Sequence, residues 1–476
     1  MQNGYLVYQS IVSRMIAKTG FYQSSGGYGY RDQLQDALGM KWVDTEILRN
    51  QILLNAAHQF YEGDVEHWWH EDTQLGIRTR CSDDMLFLVY AVEEYIDFTG
   101  DYNILDEIAS YIDAHELNEN EKDRVDFYTK TSKEGTIFEH CLKAIKIACN
   151  FGEHGLPLIK NNDWNDGMDN IGTKGKGESV WLGFFLYNIL NRFIELIDYQ
   201  KSHIKKINIS KEMSLALEGI IFDNSKPSFQ YEIGQELGPT NIGELNKINY
   251  EELKEEFIST ASKLKKALNT EGWDGRWFRR AFNDDGKVIG SIENEECKID
   301  NISQSFAVIS GGADNDKKYI AMNSLEKYLV DEKNNLVRLL YPALEKEDLG
   351  YITAYGKGMR ENGGQYTHAA IWSLIAEIML ERKEQAMNIY KKINPIEHTK
   401  TREDTMSYKV EPYVIAADIY SEGAQAGRGG WTWYTGSSSW LYEAQIKYIL
   451  GIKIYHKKMT INPCVPEDWK NFNVTL

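Results

Sequence analysis

Asp163-Trp164-Asn165-Asp166-Gly167 places two carboxylates, an amide and a tryptophan ahead of a glycine within five residues. Asn, Asp and Gly are weak helix-interior residues, so the stretch reads as a loop. A loop aromatic beside carboxylates suits a sugar. The ring stacks on apolar C–H faces, while a carboxylate binds hydroxyls or protonates a glycosidic oxygen. An acidic turn and a calcium loop are the other readings of these five residues alone. Spacing does not choose between Asp163 and Asp166 as the acid.

Four more segments share this look. Tyr22 to Asp36 runs through Gly26-Gly27-Tyr28-Gly29-Tyr30-Arg31. Glu62-Gly63-Asp64 leads to His67-Trp68-Trp69-His70, then Arg78-Thr79-Arg80 and Asp83-Asp84. Arg360-Glu361-Asn362-Gly363-Gly364-Gln365-Tyr366-Thr367-His368 comes later, followed by Gly427-Arg428-Gly429-Gly430-Trp431-Thr432-Trp433-Tyr434-Thr435-Gly436. Each mixes glycine, aromatics and ionisable groups beside a helical pattern. Loops converging on one end of a helical scaffold are a common way to build a site. Trp68 and Trp69 are placed at a helix end, either stacking on a longer chain or packing in the core.

Helical periodicity must position these loops. Ile47, Leu48, Ile52, Leu53, Ala56 and Phe60 mark one helix. Met85 to Ile96 marks a second, closed by Gly100. Val180, Phe184, Tyr187, Leu190, Phe193, Ile194 and Ile197 mark a long third. Similar patterns fall near 4–18, 134–150, 250–269, 299–310, 315–330, 366–382, 384–392 and 436–450. Strand signals are few: the Trp277–Ala281 region and the tail from Lys453. The expectation is a mostly α fold of antiparallel helix pairs; periodicity alone allows a barrel or a solenoid.

The 476 residues are 42% hydrophobic and 26% charged, which is ample for a large core. A net charge of −18 argues against a nucleic-acid partner. Arginines concentrated at the motifs leave room for a small anion. The cysteine count is odd, with no CxxC pair, and histidines lack HExxH spacing. Neither a disulfide framework nor a metal site is therefore expected. No signal peptide and no membrane-spanning stretch is read, so a cytoplasmic enzyme is the default.

The motif segments resemble glycoside hydrolase family 94, the inverting β-glycoside phosphorylases. Their wording is closest to the phosphorylase-like domain of cyclic β-1,2-glucan synthases and to 1,2-β-oligoglucan phosphorylases. His154-Gly155-Leu156-Pro157-Leu158, Gly175 to Gly183, Trp273-Asp274-Gly275 and Lys409-Val410-Glu411-Pro412-Tyr413 extend the match over most of the chain. The resemblance selects an (α/α)6 barrel over residues 1–452, with an irregular excursion at about 201–250. It makes 453–476 the start of an incomplete C-terminal β cap and leaves the family's N-terminal β-sandwich absent, as in a fragment. Self-association, or contact with such β domains, is then expected.

The resemblance also implies roles. Asp166 becomes the catalytic acid, Trp164 lines the donor site and Asp163 supports it. Arg31 and Asp36 correspond to donor-sugar contacts, with Arg80, Asp83 and Asp84 on the same rim. Arg360 and Glu361 face the acceptor sugar. His368, Thr435 and Gly436 hold phosphate, which is a co-substrate; no cofactor is implied. The expected reaction is reversible phosphorolysis of a β-linked glucan, β-1,2 by wording, to α-glucose 1-phosphate. The alternatives are a non-catalytic sugar-binding module of a larger synthase-like protein, or a cellobiose- or chitobiose-type phosphorylase.

Overall fold

A computed structural model describes residues 2–17, 26–119, 121–203, 208–209, 246–247, 250–466, 469 and 471–474. The fold is mostly helical with small sheets. The expected excursion at 201–250 lies almost wholly outside the described residues.

The leading helical segment, 2–15, contains α1 (Val7–Ser10). It is followed by α2 (Tyr30–Met40), α3 (Thr45–Ala56), α4 (Leu86–Thr99), α5 (Ile137–Ala148), α6 (Val180–His203) and α7 (Tyr250–Thr270). Then come α8 (Asn301–Ile309), α9 (Asn315–Leu329), α10 (Thr367–Met379), α11 (Lys383–Ile393), α12 (Arg402–Tyr408) and α13 (Ser437–Glu443). Local chemistry sets several ends. Asp44 caps α3 by accepting from the Glu46 N–H, and Thr136 with Glu139 forms a capping box on α5. Gly100 closes α4 at φ 67°, a left-handed conformation that glycine adopts without strain.

Packing runs in a circuit. α2 lies against α4, α4 against α6, α6 against α8, α8 against α10 and α10 against α13; α13 returns to α2. A second helix backs each step: α3 on α2 and α4, α5 on α4, α7 on α6, α9 on α8, α11 on α10, and α1 on α13. Trp372 of α10 lies in the middle of this core, fully buried, with the rings of Trp164, Trp181, Phe306, His368 and Trp440 around it.

Two corrections follow. Trp68 and Trp69 are not at a helix end. They lie in β2 (Glu66–His70), within a four-stranded antiparallel sheet ordered β1 (Tyr28–Gly29), β2, β3 (Leu75–Thr79) and a strand at Asp123–Phe127. Trp69 is buried there, stacked on His58 with centroids 3.9 Å apart. Second, α6 is long and apolar enough to cross a membrane by length and composition, contrary to expectation. In this fold it is a core helix, with 67% of its apolar window buried inside the protein.

Candidate functional site

Hydrogen bonds, an ion pair and ring contacts link the first turns of all six circuit helices. Arg31, in the first turn of α2, is the hub. Its Nη1 donates to Asp83 Oδ1 at 2.7 Å and its Nη2 to Asp166 Oδ1 at 2.5 Å. The same guanidinium donates to the backbone carbonyls of Asp163 and Trp164 at 3.3 and 3.2 Å. Its Nε is 3.5 Å from Asp84 Oδ1. Asp83 and Asp84 immediately precede α4, and both are buried. Arg31 thus ties the acid loop to two helix starts.

The loop itself is sorted by its partners. Asp163 is fully buried and bound bidentately by Arg280, Nη1 at 2.7 Å and Nη2 at 2.5 Å, with the Ser179 hydroxyl donating at 2.7 Å. Burial works to raise this carboxyl, but the Arg280 charge overrides it and holds the group below the usual carboxylate range. Both Asp163 oxygens are therefore engaged. Asp166 keeps about a third of its side chain exposed and is steadied by Arg31 and by the Asn162 amide at 3.1 Å. Of the two aspartates, Asp166 alone is placed to meet a ligand.

Trp164 carries the network onward. Its ring is edge-on to His368 at 5.0 Å and to Tyr366 at 5.5 Å. It is mostly buried, so its ring is largely core, with only a margin left to line a site. His368 sits in the first turn of α10, with no hydrogen-bond partner on its buried Nε2. Burial, reinforced by the Arg14 and Arg31 charges, pushes its pKa down to about 3. A methyl group at Gly436 would stand 3.1 Å from the His368 ring and 3.5 Å from the Arg14 guanidinium. Glycine there lets backbone, imidazole and guanidinium converge. The neighbouring Thr435 hydroxyl contacts the Ser437 hydroxyl at 2.8 Å and accepts from its N–H, a hydroxyl turn around Gly436, the residue that opens α13.

Arg14 is a residue that the motifs did not disclose. It reaches from the leading helical segment, lies over the Tyr434 ring at 4.5 Å, and pairs with Asp36 at 2.8 Å and Asp32 at 3.2 Å. Asp36, expected at the donor sugar, is held by Arg14. That carboxylate is fully buried beneath Arg14, and burial raises its pKa to about 6. Asp32, one turn nearer the start of α2, has 41% of its side chain exposed and is the carboxylate open to a ligand.

Arg80, expected on the same rim, donates its guanidinium N–H groups to the carbonyls of Glu121 and Asn118, at 2.9 and 2.8 Å. Arg78 is likewise spent on Asp64 and Glu62, and Arg428 on Gln425. Arg360 and Glu361 do join the site's edge. Arg360 lies over the rings of Tyr355 and Tyr366, at 5.5 and 6.0 Å, and 3.4 Å from Glu361 Oε2. Burial raises the Glu361 carboxyl, against Arg360 and with the neighbouring Asp166 charge. Tyr351 feels both Asp166 and Glu361 and is half exposed; the motif segments missed it.

His67, Cys81 and Asp84 offer three ligand atoms within 4.8 Å of one another. Arg31 already stands 3.4 Å from the Cys81 sulfur, and His67 is bound to Asp84 at 2.7 Å. Burial opposes charge on His67, but Asp84 outweighs it and lifts the pKa to about 9. His67 and Asp84 are thus paired with each other, and the Cys81 thiol donates to Asp83 at 3.0 Å.

An acid loop, arginines and aromatics gathered where helices begin form the site of a carbohydrate-active catalytic domain. The chain belongs to the glycosyl hydrolase 94 superfamily: residues 1–224 and 239–451 match its catalytic domain. It is 41% identical, over its whole length, to the cyclic beta-(1,2)-glucan synthase NdvB of Rhizobium meliloti, of which it spans 15%. It is 28% identical over 93% of its length to the solabiose phosphorylase of Paenibacillus borealis, spanning 49% of that protein. The chain therefore covers half or less of these two relatives. A GH63 mannosylglycerate hydrolase from Thermus thermophilus, solved in complex with glucose, superposes with a TM-score of 0.52 at 9% identity. That alignment covers 93% of this chain and 99% of the other, and the likeness is one of fold alone.

Proposed function

We propose that the helix circuit is an (α/α)6 barrel and that its site carries out inverting phosphorolysis of a β-linked glucan. The convergence of Arg14, His368 and Gly436 carries this reading. An inverting hydrolase holds a carboxylate base and water opposite its acid. Here a guanidinium, an imidazole and a bare backbone meet, with the nearby Asp32 carboxylate held by that guanidinium at 3.2 Å, beside two helix starts whose dipoles favour an anion. Phosphate held there attacks the anomeric carbon while Asp166 gives its proton to the departing glycosidic oxygen. One C–O bond forms, one breaks, and the β-linkage becomes an α-sugar 1-phosphate. Asp32 and Arg31 grip the donor sugar; Arg360, Glu361 and Tyr351 face the acceptor.

Glucose linked β-1,2 is the proposed donor, supported by the 41% identity to a protein named for that linkage. The second reading is a disaccharide phosphorylase of another linkage, supported by relatives such as the N,N'-diacetylchitobiose phosphorylase of Vibrio furnissii, 24% identical. A donor panel with phosphate decides between them. Turnover on β-1,2-glucooligosaccharides well above that on cellobiose and diacetylchitobiose supports the first; the reverse order supports the second.

His368 gives a finer test. His368→Ala removes a ring N–H donor beside a dianion. Hydrogen bonds to charged groups are worth about 1.5–3 kcal/mol, so the phosphate KM should rise about 10- to 100-fold. An unchanged phosphate KM would remove His368 from the phosphate site. Tyr5, Tyr8, Val12 and Ile16 form an exposed stripe on the leading helical segment. We propose this face as a place of self-association or of contact with further domains.

A further inference from the structure

Arg280 is fully buried, and its backbone is clamped on both sides. Its N–H donates to the Ile289 carbonyl at 2.8 Å, and its carbonyl accepts from the Val180 N–H at 3.1 Å. From that fixed origin the side chain reaches three elements. Two nitrogens grip Asp163, and Nε lies 3.6 Å from Asp300 Oδ2. Asp300 caps α8 by accepting from the Ile302 N–H at 2.9 Å. Asp163 Oδ2 accepts from the Ser179 hydroxyl, whose oxygen accepts from the Leu182 N–H at 3.0 Å in the first turn of α6. Asp163 Oδ1 accepts from the Asn165 N–H at 3.1 Å, bending the loop immediately before Asp166. The loop's outward carbonyls, Asp163 and Trp164, then face Arg31.

We propose that Arg280 is the positioning residue of the acid loop. It touches no sugar, but keys Asp163, and through it Asp166, to the starts of α6 and α8. This rests on the acid role proposed for Asp166. A planar guanidinium is needed, because its fork matches both carboxylate oxygens while an ammonium offers one point of charge.

The test compares Arg280→Lys and Arg280→Ala in the full chain. Arg280→Lys keeps charge and loses the fork. A misplacement of order 1 Å can cost about 10²-fold, so kcat should fall by about 10- to 100-fold with phosphate KM little changed. Millimolar guanidinium should restore turnover to Arg280→Ala, and methylammonium should not. Should Arg280→Ala fail to fold, the lysine variant carries the test. Hydrogen exchange of amides 163–167 supplies a readout free of activity and should quicken in the lysine variant. A folded Arg280→Lys with wild-type kcat would overturn the proposal, as would unchanged exchange in that loop. If the wild-type chain cleaves no donor with phosphate, the functional reading fails, and the exchange result alone decides the positioning role.

Discussion

Asp166→Asn should lower phosphorolysis of unactivated glucosides by about 10²-fold or more, the usual size of general acid catalysis. The substitution keeps shape and removes the proton. It should leave the unfolding midpoint nearly unmoved, because Asp166 is partly exposed. Donors with a good leaving group need less protonation and should suffer less. Asp163→Asn should behave the opposite way on stability. It breaks a fully buried ion pair with Arg280, a loss of about 3–5 kcal/mol in comparable cases. Denaturant titration beside steady-state kinetics separates the two. A stable, inactive Asp163→Asn paired with an active Asp166→Asn would swap the assignment.

Arg31→Met should have the largest combined effect of any single change at the site. The guanidinium is buried among Asp83, Asp84 and Asp166. Removing it leaves Asp83 buried without a cation and Asp84 with His67 alone, a cost of about 3–5 kcal/mol. The loop carbonyls of Asp163 and Trp164 lose their donor at the same time. Thermal unfolding should therefore shift down, and turnover should fall in whatever fraction remains folded. A variant with the wild-type melting temperature would show that water replaces the guanidinium at little cost, and that the cluster is not held by Arg31.

Much of this was legible in the sequence, for physical reasons. The long apolar period from Val180 to Ile197 and the Gly100 stop each marked an element that exists. The tail from Lys453 and the end of the Trp277–Ala281 region do form paired strands, Ile452–Tyr455 with Lys458–Ile461 and Ala281–Phe282 with Val288–Ile289, but the sheets before α5 were not legible. In β2 the register shifts between Glu66 and Trp68, and two adjacent tryptophans break the alternation that announces a strand. The strand at Thr129–Thr136 is largely exposed and polar, so it carries no apolar alternation at all. Glycine-rich loops with aromatics and charges announced the site, because such composition resists burial in regular structure. Their long-range partners gave no local signal. Arg280 meets Asp163 across 117 positions of sequence, and Arg14 approaches Gly436 from the other end of the chain. Asp32 and Asp36 share one face of α2, and spacing alone does not rank them. Four residues at 1.5 Å each place Asp36 about 6 Å further along the helix, where Arg14 covers it.

The central claim is that phosphate, not water, attacks the sugar. Phosphorus and proton NMR of one reaction tests it directly: full chain, β-1,2-glucooligosaccharide, with and without inorganic phosphate. An α-configured glucose 1-phosphate should accumulate only when phosphate is present, with the oligosaccharide shortened by one unit for each molecule formed. Equal cleavage in phosphate-free buffer, yielding free glucose alone, would contradict it.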